Sequence, residues 1–97
     1  MNVGVVGAAV NQEVRRRGFS VIEELAGHGI GRKIHEAPSV PNHFDWRARQ
    51  PLTDGLVITV EPIVSARSGH VIEDPDGWTL RTADGSRAAH YLSLIHI

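Results

Sequence analysis

The chain contains no cysteine, which excludes a disulfide framework and every thiolate metal site. It has no excess of either charge: 10 basic and 11 acidic residues give a formal net charge of −1. That removes the electrostatic basis for binding nucleic acid or an anionic membrane surface. No apolar run approaches the roughly 18–20 residues needed to span a bilayer. The first residues show neither the charged nor the apolar region of a signal peptide, so the expected compartment is the cytoplasm. There is no internal repeat and no low-complexity segment. What remains is 97 residues with 41% hydrophobic content, enough for one small globular domain with a thin margin of stability.

Val3, Val6, Val10 and Val14 recur at helical spacing. Arg15, Arg16 and Arg17 follow, where positive charge suits a helix C-terminus, and Gly18 suits the position just beyond it. The spacing predicts an amphipathic helix over residues 3–17. Phe19–Ile22 reads as a short strand. Residues 38–51, bracketed by Pro38, Pro41 and Pro51, read as loop. Asp54-Gly55 reads as a turn before Leu56–Glu61, the strongest strand signal, which Pro62 closes. Pro75-Asp76-Gly77 and Ala83-Asp84-Gly85 read as further turns. Trp78–Thr82 and Ala88–Tyr91 then read as hairpin strands. The sum is one helix and about five strands, an α+β pattern.

The segment Gly27-His28-Gly29-Ile30-Gly31-Arg32-Lys33-Ile34-His35-Glu36 is the most informative in the chain. Its glycines allow close backbone approach or angles other residues avoid. Taken singly, His28 and His35 read as ordinary loop histidines. Glu61, at the end of an apolar strand and locked by Pro62, is either a carboxylate that needs a partner or one that reaches solvent. Together the three form a candidate oxygen–nitrogen site for a divalent metal. The histidines are seven positions apart in a glycine-rich segment, so they do not share one helical face as in HExxH. Two ligands alone fall short of the three or four of zinc sites. His43 and His70 read as solvated, His90 as half exposed in a strand, Trp78 as a core residue, and Arg32-Lys33 as a solvated pair.

In order and spacing, Gly27-His28-Gly29-Ile30-Gly31-Arg32, His35-Glu36-Ala37-Pro38, Thr59-Val60-Glu61-Pro62 and Asp76-Gly77-Trp78-Thr79 resemble the C-terminal half of type I methionine aminopeptidases, of peptidase family M24. The resemblance runs from about Val3 to Tyr91. It implies half of a pita-bread fold, one helix with a mainly antiparallel sheet. It further implies a metallo-exopeptidase with two divalent ions (Co, Mn, Fe, Zn or Ni) that removes the N-terminal methionine of nascent polypeptides. By the same resemblance His28 is a metal ligand, and Glu61 is a ligand and general base. His35 contacts substrate and stabilises the tetrahedral intermediate, and Trp78 lines the substrate site. The expected partners are peptides beginning with Met, with neither nucleic acid nor membrane.

The chain departs from the family pattern. The half that carries two aspartate ligands and another histidine is not among these residues. Leu92 follows Tyr91 where the family places a metal-bridging Glu, and Leu92–Ile97 reads as a non-native tail after a partial domain of residues 3–91. Ala26 and Ile34 replace residues more usual beside the motif. The expectation is therefore an inactive fragment that does not retain its metals. It would self-associate through a face exposing Leu56, Ile58 and Val60, or through the alternate face with Val57. Two alternatives stand beside this reading: another hydrolase of the superfamily, such as a proline-specific aminopeptidase, or a metal-free pita-bread module that binds peptide or protein.

Overall fold

A computed structural model describes all residues, Met1–Ile97. The single helix, α1 (Val3–Arg16), lies within one residue of its expected limits. Asn2 caps it, its Oδ1 accepting from the Val5 N–H at 3.3 Å, which satisfies one of the free amides of the first turn. At the other end Glu13 pairs with Arg16 and Arg17, both at 2.7 Å, and Gly18 adopts φ 83°. The buried side of α1 is Val3, Gly4 and Gly7, narrower than the valine stripe predicts.

Nine short strands follow: β1 (Ser20–Val21), β2 (Ala26–Gly29), β3 (Glu36–Pro41), β4 (Val57–Val60), β5 (Ile63–Ser65), β6 (Val71–Glu73), β7 (Leu80–Thr82), β8 (Ala88–His90) and β9 (Ser93–His96). They form three sheets, ordered β3-β2-β4-β9, β1-β5-β8 and β6-β7, with every pairing antiparallel. The α+β expectation holds. Two details do not. Residues 38–41, expected as the start of a loop, belong to strand β3. Pro38 and Pro41 are tolerated because β3 is the outer strand of its sheet, where a missing N–H breaks no second ladder. The strands after the two later turns do not pair with each other: β7 pairs with β6, and β8 with β5.

The core is small. Val3, Val40 and Ile58 form its centre, with Val6, Ala48, Leu52, Leu56 and Val60 packed around them. This corrects the expected open face. Of the two faces expected to lie open, the one with Ile58 is closed, since Ile58 packs against Val3 of α1 and Val40 of β3 with Leu56 and Val60 around them, while Val57 is half-buried. The exposed apolar residues lie elsewhere, at Phe44, Trp46, Trp78, Tyr91, Leu92, Leu94 and Ile95. No helix is long and apolar enough to cross a membrane.

Candidate functional site

The motif glycines are explained by space. The glycines with positive φ are Gly18, Gly55, Gly77 and Gly85, all in turns, and Gly27 and Gly29 are not among them. A Cβ on Gly27 would overlap the Thr59 carbonyl of β4, and one on Gly29 would overlap the Ala37 carbonyl of β3. Removing both side chains lets β2 press between its neighbours and carries His28 to the end of β4.

Thr59 joins the two strands. Its hydroxyl oxygen accepts the His28 backbone N–H at 3.0 Å and donates to Glu61 Oε1 at 2.6 Å. Asn42, fully buried, donates its amide to the Glu61 carbonyl at 3.0 Å and so fixes the backbone there as well. Glu61 Oε1 then lies 2.9 Å from His28 Nε2, with side-chain exposures of 14% and 18%. His35, on the exposed bend after β2, brings its ring to 4.2 Å from that of His28, tilted by 49°. The structure thus gathers three of the four predicted residues, His28, His35 and Glu61. Trp78 is apart: it is 80% exposed at the β6–β7 turn, and no hydrogen bond, ion pair or ring contact joins it to the group. It is not the core residue that its position after a turn predicts.

Sequence reasoning missed His90. Its Nε2 lies 3.2 Å from Glu61 Oε2. The pairing Ile63↔His90 sets β8 beside the residues that follow Glu61, a register no local pattern encodes. His43 also departs from expectation, since it is part-buried and its Nδ1 has no partner.

The charge states follow from these contacts. Burial pushes the Glu61 carboxyl up, but the Thr59 hydroxyl, the charge of His28 and the hydrogen bond from His90 together bring it below its usual value. Glu61 is therefore ionised at neutral pH. His28 Nδ1 lies 2.8 Å from the Gly29 carbonyl. A carbonyl can only accept, so Nδ1 carries a proton, and Nε2 is left to face a carboxylate oxygen. Two acceptors at that distance need a proton or a cation between them. Ring N–H donation to a backbone carbonyl is also the usual way a metal-ligating histidine is oriented. The donor chemistry fits a divalent cation at this pair. No group of three His, Cys, Asp or Glu side chains is arranged to hold one.

The family model of metallopeptidase family M24 matches residues 1–91. The chain belongs to that family. It is 43% identical over 91 residues to a methionine aminopeptidase of Aquifex aeolicus and 47% identical over 89 residues to one of Clostridium perfringens. These alignments cover 92% and 91% of the chain and 35% of each relative. A crystal structure of the Thermotoga maritima methionine aminopeptidase superposes with a TM-score of 0.93 at 38% identity, covering 100% of this chain and 39% of that one. The fold is therefore a part of the methionine aminopeptidase fold, and the chain spans about a third of the length of these relatives.

Proposed function

We propose that residues 1–91 are the part of a methionine aminopeptidase that carries one side of its metal centre, with His28 and Glu61 as ligands. The carrying observation is the His28 Nε2–Glu61 Oε1 contact at 2.9 Å, with Nδ1 turned to the Gly29 carbonyl. The match to relatives named methionine aminopeptidase supports the substrate class, peptides beginning with Met.

In this reading a bound divalent cation supplies Lewis-acid polarisation of the scissile carbonyl. The chain's own residues do the rest. Thr59 holds Glu61 ionised and oriented. Glu61, as general base, takes a proton from the attacking water. His35, exposed beside His28, donates a hydrogen bond to the oxyanion that develops on the substrate. Trp78 borders the substrate only if the β6–β7 hairpin is carried against the site by the rest of a full-length domain.

Two protein donors hold metal weakly, because catalytic sites of this kind use three or more. The 97-residue chain, given excess manganese or cobalt, is expected to release no methionine from a Met-Ala-Ser peptide. The positive test is a graft. Residues 1–91 replace the matching stretch of the Aquifex aeolicus enzyme, and methionine release is measured with and without Glu61→Gln. Release by the graft that Glu61→Gln abolishes supports the reading. A folded graft that releases no methionine refutes it, and one that cleaves only peptides with proline at the second position favours the proline-specific alternative.

A further inference from the structure

Glu61 is gripped at both carboxylate oxygens, and the two grips differ. Oε1 meets Thr59 Oγ1 and His28 Nε2, both within a shared, largely buried cluster. Oε2 meets the His90 ring at 3.2 Å. The final torsion of a glutamate is broad and roughly two-fold, so anchoring one oxygen leaves the plane of the carboxylate free to turn. A second hydrogen bond at Oε2 removes that freedom. Because the carboxylate only accepts, His90 Nε2 must carry the proton. Its side chain is 49% exposed on β8, so it contributes this one directed bond and little packing.

We infer that His90 is a positioning residue for Glu61: its Nε2–H holds Oε2 and thereby sets the plane in which Oε1 and His28 Nε2 face a shared cation. The inference deepens the proposed function and rests on His28 and Glu61 being ligands. Hydrogen-bond partners of metal ligands contribute about 10- to 100-fold in metal affinity, so the expected effect is measurable even in a weak site. Glutamine at this position offers an amide N–H in place of the imidazole N–H, and alanine offers none.

The test uses the 97-residue chain with its histidines labelled with nitrogen-15. Ring nitrogen signals are recorded for wild type, His90→Ala and His90→Gln, first without metal and then through a zinc titration. Wild-type His90 is expected as the Nε2–H tautomer. His90→Ala is expected to shift the His28 ring signals and weaken zinc binding about 10-fold. His90→Gln should keep both at wild-type values, while backbone amide signals of α1 and β2 stay in place in both variants. An unmoved His28 ring in His90→Ala overturns the inference, as does a folded His90→Gln that behaves like the alanine variant. If zinc leaves the wild-type His28 signals unchanged, the ligand reading itself fails, and the metal-free spectra still decide whether His90 orders Glu61.

Discussion

Thr59 is the residue on which the site depends without being one of its chemical groups. Its single hydroxyl accepts from one strand and donates to the carboxylate two residues on, and it is buried. Thr59→Val keeps the shape and removes both bonds, leaving the His28 N–H and Glu61 Oε1 short of a partner in a place water reaches poorly. An unmet buried polar group costs about 1–3 kcal/mol. The expected result in urea unfolding is a loss of about 2 kcal/mol for Thr59→Val, and much less for Thr59→Ser, which keeps the hydroxyl. Equal losses in the two variants would assign the effect to packing. At this scale the sequence was informative where a motif is local: His28, His35 and Glu61 were all singled out, and all three meet. It does not reveal the contacts of Thr59, Asn42 and His90, because those depend on which strands lie side by side. The resemblance also suggested Trp78 near the site. That placement needs a tertiary arrangement of the β6–β7 hairpin which these 97 residues do not create.

The elements show the same division between local and long-range information. Helix α1 and the turns at Gly18, Gly55, Gly77 and Gly85 were legible because capping residues and positive φ leave a signature in the sequence. Strand β3 was not, because its prolines mark turns in most settings and are permitted here only by its edge position. The helix also hides a conflict between propensity and packing. Gly7 sits mid-helix, where Gly→Ala ordinarily stabilises by about 1 kcal/mol. Here a Cβ on Gly7 would run into the His43 and Pro41 carbonyls, which are backbone and cannot swing aside. Overpacking of this kind costs about 1–3 kcal/mol. Packing should win, so Gly7→Ala is expected to lower stability by about 1 kcal/mol, read from thermal or urea unfolding. A stabilised variant would mean that the end of β3 and the loop after it yield easily and are not a firm wall of the core.

For the whole molecule, the decisive fact is how little is enclosed. Apart from the prolines of β3, the buried apolar side chains in this chain of 97 are Val3, Val21, Ile22, Val40 and Ile58, while large apolar side chains stand open along one sheet edge. The four-stranded sheet ends differently on its two sides. β3 carries Pro38 and Pro41, which blunt it against further pairing. β9 is Ser93-Leu94-Ile95-His96, with neither proline nor a fixed charge, and its outer backbone groups have no strand beside them. Leu92 and Leu94 are 52% and 62% exposed there. An uncharged apolar edge is a template for a second strand, and in a solution of one protein the strand available is another β9. The sequence reading expected self-association through β4, but Ile58 lies under α1, so the open surface has moved to the edge beyond it. Sedimentation velocity across a concentration series should therefore show reversible growth beyond the monomer. Leu94→Lys places a charge on that edge without touching the Val3–Val40–Ile58 core, and should return the chain toward the monomer with its unfolding midpoint nearly unchanged. A wild-type chain that stays monomeric at high concentration would show that the edge is protected in solution. Association that persists in Leu94→Lys would instead shift it to the exposed aromatic surface of Phe44 and Trp46, which lines a separate cavity of about 330 Å³ beside α1.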